Sequence, residues 1–475
     1  MRDSLPAASA AFASLPPARE DAGALRESIR AMRAADDVLV GVVDDDPTGS
    51  QAVHGVQVVT VPDEDACAAG FGGPAGTCFL LTNSRSVGER AAAELTENAA
   101  RCLAAAARRL GAGVELVSRS DSTLRGHVLA EVAALSRARR QTAGAEPDAV
   151  LFVPAFIEAG RVTANGIHWA RAGGELVPVG ETEFASDRLF GYAASDLKDF
   201  LAEKSRGVIR RGDIAGIGLA DIRRGGPDRV RDLLSGQRHG TWVVVDAVEY
   251  SDLEAVACGV LLAREQGRSF LFRTGPSFVR ALAGLEPKAP LRGAELVLSR
   301  GGHGLIVVGS HVKQTSRQVA DLMGRGWTVD VELDVPAVIS GARDVVASAA
   351  RQVTDALEQS DVLLYTSRTF AAGNGNDGFA VGRAVSAALA SIVRQALTAG
   401  PAWIVAKGGI TSHDVAVDGL GMRRADVAGQ LFPGLISVFR PADAASAAMG
   451  MPYVVFPGNV GDDQALTQVV ALLRG

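Results

Sequence analysis

Short apolar runs alternate with amphipathic stretches along almost the whole chain. The runs at residues 38–43, 56–60, 79–82, 114–118, 149–153, 241–246 and 270–273 are too short for helices. They are rich in β-branched or large apolar residues, so each predicts a strand. Between them, residues 89–110 and 253–265 read as helices. Strand–helix alternation predicts a parallel sheet covered on both faces. Residues 283–295, AGLEPKAPLRGAE, carry glycine, proline and mixed charges and read as a linker. Beyond it the alternation restarts, with strands expected at 305–309, 328–333, 362–366, 403–407 and 453–456. The clearest helix lies at 384–397. There Val385, Leu389, Ile392, Val393 and Leu397 form one apolar stripe, and Gly400-Pro401 ends it. The expected fold class is α/β, with two domains, each a mostly parallel sheet flanked by helices. The expected bounds are an N-terminal arm and leading helix at 1–35, a first domain at 36–283, a linker at 284–295 and a second domain at 296–475.

In open parallel sheets, ligands bind beyond the carboxyl ends of the strands. After the first strand stands DDDPTGSQ, with Asp44, Asp45 and Asp46 in a row. A turn explains one or two of these. Three abutting carboxylates repel one another unless a metal, a ligand's hydroxyls or a nearby arginine offsets the charge. After the third strand stands NSRS, residues 83–86, polar but common in kind. After the fourth stands SRSDSTLRGH, residues 118–127, where Arg119, Asp121 and Arg125 crowd among hydroxyls before a helix. A helix cap needs one such residue, not a cluster; arginine forks suit a carboxylate or phosphate. Arg161, after the fifth strand, is a further candidate anion contact, whereas His168 reads as structural. The first half thus gathers the makings of a site for a small polyhydroxylated anion.

The second half differs. SHVKQTSRQ from Ser310, AKGGITSHD from Ala406 and PGNVGDD from Pro457 each follow a predicted strand. Glycine lets backbone amides approach a ligand closely, so these turns suit phosphates. Neither a Walker pattern nor a GxGxxG fingerprint after a strand is present. A polyol-anion site on one domain and a phosphate-friendly site on the next predict phosphoryl transfer in an interdomain cleft.

Composition narrows this further. A net charge of −6 argues against non-specific nucleic-acid or acidic-membrane binding. Four cysteines, without metal-ligand or CxxC spacing, fit a reducing cytoplasm. No apolar run approaches a membrane span. The Ala/Ser/Pro-rich first residues read as a disordered arm rather than a signal peptide.

Taken together, DDPTG from Asp45, SRSDSTLRGH, GSHV from Gly309, KGGITS from Lys407 and PGNVG resemble the four-carbon acid sugar kinase family, in the right order from about residue 37 onward. The resemblance implies an N-terminal sugar-acid-binding domain and a C-terminal nucleotide-binding domain. It implies phosphorylation of a terminal hydroxyl of threonate, erythronate or a 3-oxo-tetronate, with ATP and Mg2+ as cofactors. Carried over by motif, the sugar acid falls to Asp45, Asp46, Asn83, Arg119, Asp121 and Arg125, with Arg119 and Arg125 holding the carboxylate. The nucleotide falls to Ser310, Lys407, Gly408, Gly409, Ile410, Thr411 and Gly458. Asp45 is the expected base, with Asp121 its rival, and the metal ligands stay open. Lys407 either neutralises phosphate or only closes its loop. Two departures stand out: Ile410 where some relatives have Glu, and the extra Asp44. The expected partners are a small sugar acid and ATP, with no nucleic acid and no membrane; a homodimer is common for such folds. A sugar-acid-phosphate isomerase or aldolase, needing no ATP, and a non-catalytic sugar-acid sensor with a nucleotide site are the alternatives.

Overall fold

The computed structural model describes residues 8–46, 49–172, 174–296, 301–367, 376–432, 434–458 and 460–475. The chain divides into two compact units, one ending at Pro287 and one beginning at Lys288.

The first unit holds an all-parallel sheet. Its strands are β1 (Val38–Asp44), β2 (Gln57–Val59), β3 (Thr77–Leu81), β4 (Gly113–Arg119), β5 (Ala149–Val153), and, after an insertion, β9 (Ala215–Ile217), β10 (Thr241–Val245) and β11 (Phe270–Thr274). The spatial order is β2-β3-β1-β4-β11-β5-β10-β9. The insertion carries a small antiparallel sheet of β6 (Arg161–Ala164), β7 (Ile167–Ala172) and β8 (Glu175–Pro178). Asn165 and Gly166, both in the left-handed region, make the turn between β6 and β7.

Continuous apolar runs suit strands buried on both faces. On one face, helices Glu89–Arg109 and Val128–Ala143 pack Ala99, Ala100, Leu103 and Leu135 against Val43, Leu80, Leu116 and Leu271. Small helix residues let the backbone come close. At Gly41 in β1, an added Cβ would lie 2.9 Å from Val114 and 3.3 Å from Leu103. Aromatics are few, so this fit of alanine and glycine against branched residues supplies much of the packing.

The N-terminal segment corrects an expectation. The expected leading helix is Ala22–Ala35, but the arm before it is not structureless, with a short helix at Ala8–Ala13. Ala11 is buried with Val162, Ile167 and Trp169 of the small sheet, and Phe12 meets Trp169 edge-on at 5.7 Å. The alanine-rich run looked structureless because the small sheet that covers it was not foreseen. Residues 1–7 lie outside the described residues.

The second unit has strands β12 (Leu305–Val308), β13 (Thr328–Leu333), β14 (Asp361–Thr366), β15 (Ile404–Lys407), β16 (Arg424–Phe432), β17 (Ile436–Asp443) and β18 (Tyr453–Phe456). The order is β13-β14-β12-β15-β18-β17-β16, parallel through β18 and antiparallel beyond. The periodic helix runs Asn376–Ala396. Its core joins Ile306, Val308, Val405, Val454 and Phe456 to Leu466, Val469 and Val470 of the C-terminal helix Ala465–Arg474.

Candidate active site

In the first unit, β1 and β4 are adjacent and in register, so Asp44 stands opposite Arg119. Their buried side chains pair at 2.9 Å. Burial pushes Asp44 up to about 7 against the pull of Arg119. Asp45 follows, also buried. Its Oδ2 accepts from Ser120 Oγ at 2.6 Å, and its Oδ1 lies 3.2 Å from Arg85 Nε. Asp46 pairs with the same Arg85 through Nη2. Arg85 Nη1 lies 4.0 Å from Asp121 Oδ2. One guanidinium therefore faces three of the candidate carboxylates. Burial alone would lower its pKa, but Asp45, Asp46 and Asp121 more than reverse that, so Arg85 stays charged.

The two candidate bases have opposite environments. Burial raises Asp45 to about 6, and nearby Glu131 adds to the rise, while Arg85, Arg273 and Arg119 restrain it. Asp121 is only partly buried, and there Arg125 and Arg85 overcome its desolvation and hold it far below the usual carboxylate range. Arg125 Nε donates to Asp121 at 2.6 Å, and Thr123 donates to the same oxygen. A group poised near neutrality can take up a proton; one pinned far below it serves as a fixed charge.

Backbone shape completes this corner. Gly126 has φ +107°, and an added Cβ would lie 3.0 Å from Asp45 Oδ2 and 3.1 Å from Arg273 Nη2. Only glycine lets the chain pass there.

Of the six sugar-acid candidates, Asp45, Asp46 and Asp121 are linked through Arg85, Arg119 joins through Asp44, and Arg125 through Asp121. Asn83 adopts a left-handed φ of 51° at the head of the NSRS turn, where its carbonyl accepts from Ser86 Oγ at 2.7 Å. Several residues of the cluster escaped the sequence reading. Arg85 was visible in NSRS but looked like an ordinary loop. Arg273, in the last strand, bonds Ser118 at 2.7 Å and pairs with buried Glu131, which also accepts from Ser84 at 2.6 Å. An arginine near the end of an apolar strand, as at Arg119, was the available signal.

In the second unit, β12, β15 and β18 are neighbours, and each ends in a glycine-containing loop. Those loops meet. An added Cβ would lie 2.3 Å from Thr411 Oγ1 at Gly309, and 2.8 Å from Ser310 Oγ at Gly458. At Gly408, with φ +117°, it would lie 3.2 Å from both Ser310 Cβ and Thr411 Oγ1. Thr315 Oγ1 ties the loops by donating to the Gly458 carbonyl at 2.8 Å, and it lies 3.2 Å from Ser310 Oγ. Gly409 opens the short helix Gly409–Asp414, and Ile410 on it is 51% exposed. Lys407 is fully buried. Its ammonium lies 3.7 Å from the Phe456 ring centre and donates to the Pro457 carbonyl at 3.1 Å, which closes the loop from inside. The loops that carry Ser310, Gly408, Thr411 and Gly458 are packed too closely to admit added side chains, and glycine-rich turns of this kind can present backbone amides to phosphate oxygens.

Residues 40–282 match the family described as a sugar-binding N-terminal domain, and residues 305–466 match the nucleotide-binding C-terminal domain. The chain belongs to the four-carbon acid sugar kinase family. Members named for their activity are phosphotransferases acting on an alcohol. The chain is 32% identical over 246 residues to D-threonate kinase of Salmonella typhimurium, an alignment covering 51% of this chain and 50% of that protein. It therefore spans about half the length of that relative. It is 29% identical over 410 residues to 3-oxo-tetronate kinase of Methylobacterium radiotolerans, covering 81% and 88%. The fold is similar to that of a Haemophilus influenzae protein, at a TM-score of 0.58 and 18% identity over 91% of this chain and all of that one. Among the described residues no helix is long and apolar enough to cross a membrane.

Proposed function

We propose that the chain is an ATP-dependent kinase that phosphorylates a terminal hydroxyl of a four-carbon sugar acid of the threonate, erythronate or 3-oxo-tetronate class. The observation that carries this is the geometry of the two sheet edges: Arg85 gathers Asp45, Asp46 and Asp121 in one cluster on the first unit, and three close-packed glycine loops stand after adjacent strands of the second. The names of the two kinase relatives support the substrate class.

In this mechanism the substrate's terminal hydroxyl takes the place of Arg85 at Asp45 Oδ1. Asp45 accepts the hydroxyl proton as the oxygen forms its bond to the γ-phosphorus of ATP. The bond from that phosphorus to the bridging oxygen breaks, and ADP leaves with the electron pair. Displacing Arg85 removes the largest influence lowering Asp45, which makes it more basic as it is needed. Asp121 stays ionised, holds Arg125 in place and keeps a carboxylate facing Arg85 as it leaves Asp45. The Ser310, Gly408–Thr411 and Gly458 loops bind the ATP phosphates through backbone donors and hydroxyls, and positioning supplies most of the catalysis. Mg2+ when bound would neutralise phosphate charge. Among the described residues no group of three or more His, Cys, Asp or Glu side chains is placed to hold a metal, so no step here runs through it.

The test is ADP release by the purified protein with Mg-ATP across a panel of D- and L-threonate, erythronate and 3-oxo-tetronates. Release that depends on one acid, with a phosphorylated product by mass spectrometry, is expected. ATP binding without release for any acid would sink the assignment.

A further inference from the structure

The arginines around the acidic cluster differ in one respect. Arg85, Arg119, Arg125 and Arg273 each face a carboxylate of the protein itself. Arg161 does not. Its side chain makes no hydrogen bond or ion pair with any described residue, although it is half-buried. Its guanidinium lies 5.6 Å from the centre of the Phe184 ring and 5.8 Å from that of Phe156. Arg125 approaches the same Phe184 ring at 5.1 Å. Arg161 thus joins the cluster at its edge, along the path Asp45, Arg85, Asp121, Arg125, Phe184, Arg161.

Burial and the neighbouring Arg125 disfavour its charge. Asp121 is the carboxylate that acts in its favour, and Asp121 is already bonded to Arg125 and Thr123. A partly desolvated guanidinium without a counter-ion is costly, and aromatic faces offset only part of that cost. The fold keeps it there nonetheless, at the first position of β6, as the Gly160–Arg161 corner enters the small sheet. A planar guanidinium fork can hold a carboxylate through two parallel hydrogen bonds.

We propose that Arg161 binds the carboxylate of the acid substrate and sets the preference for acids over neutral polyols. This rests on the sugar-acid reading above. It moves the carboxylate away from Arg119 and Arg125, which are already paired within the protein. It also orients the substrate, with its carboxylate at Arg161 and its terminal hydroxyl at Asp45.

The test compares wild type with Arg161→Ala and Arg161→Lys, using the acid that wild type turns over and the corresponding four-carbon polyol. For Arg161→Ala, KM for the acid should rise about 30-fold or more, as for a lost charged hydrogen-bonded pair. KM for ATP should be unchanged, and the acid-over-polyol preference should collapse. Millimolar guanidinium should restore part of the acid activity, which a purely structural loss would not allow. Arg161→Lys, which keeps the charge but not the fork, should fall between. An unchanged KM and preference in both variants, with wild type active on an acid, would overturn the inference while leaving the kinase reading intact. A wild type inert toward every acid, with ATP bound, would overturn the kinase reading and this inference with it. If Arg161→Ala melts early, Arg161→Lys alone decides, since an unchanged acid KM there contradicts the fork.

Discussion

At the carboxyl edge of the first sheet, Asp44, Asp45, Asp46 and Asp121 are held together by Arg85, Arg119 and Arg125. At the corresponding edge of the second, Gly309, Gly408 and Gly458 stand where a β-carbon would crowd Ser310 or Thr411. One site is built from side-chain charge and the other from the lack of side chains. The difference follows from the ligands proposed for them. A small acid offers few groups, so its site must supply matched charges and a tuned base. A triphosphate offers many oxygens, so amides brought close by glycine suffice. The two sites should therefore fail in opposite ways, one by subtraction and the other by addition.

The largest effect belongs to the charged site. Asp45→Asn keeps the acceptor for Ser120 but removes the base, and kcat should fall by about a thousandfold with KM for ATP unchanged. Steady-state kinetics on the active acid would show it. Arg85→Ala comes next. It leaves Asp45 and Asp46 without their shared counter-charge and should lower stability by about 3 kcal/mol in urea unfolding. An unchanged unfolding midpoint would mean that Arg85 is not the keystone of the cluster.

In the second unit, adding one methyl should suffice. Gly408→Ala places a Cβ at φ +117° against Ser310, a strain on the order of 1–3 kcal/mol, so ATP binding by calorimetry should weaken about tenfold or more. Gly324→Ala, in the helix Lys313–Gly324 of the same unit, where an added Cβ meets nothing within 4 Å, is the control and should leave binding as it was. The smallest effect belongs to Ile410. It is exposed on the short helix Gly409–Asp414, whose contacts are proposed to be backbone, so Ile410→Glu should change the ATP Kd by no more than about threefold. A large change would bring side-chain recognition into the glycine site.

The same contrast explains what the sequence disclosed. The parallel strands were legible because doubly buried strands read as unbroken apolar runs, such as Ala149–Val153 and Tyr453–Phe456. The antiparallel pair β16–β17 was not. Arg424–Phe432 mixes charge with alternation, and Gly429 and register shifts break its period. The small sheet showed only its turns, Gly160-Arg161 and Asn165-Gly166, and without that sheet the packing of Phe12 could not be foreseen. Among the candidate site residues, local crowding drew attention to Asp45, Asp46, Asp121 and the glycine turns. Arg85, Glu131 and Arg273 lie far apart along the chain and singly in ordinary contexts. Only the adjacency of β1, β4 and β11 with the NSRS turn and helix Val128–Ala143 brings them together.

The central claim is that Asp45, not Asp121, is the proton acceptor. The most direct measurement is the pH dependence of kcat/KM for the acid substrate, from about pH 4.5 to 8.5. Asp45 must be ionised to act, and burial raises it to about 6. The account therefore predicts an acid limb, with activity lost as pH falls through about 6. Asp121 is pinned far below that range and would stay ionised throughout. A profile flat down to about pH 4.5, in an enzyme still folded there, would contradict the account and point to Asp121 instead.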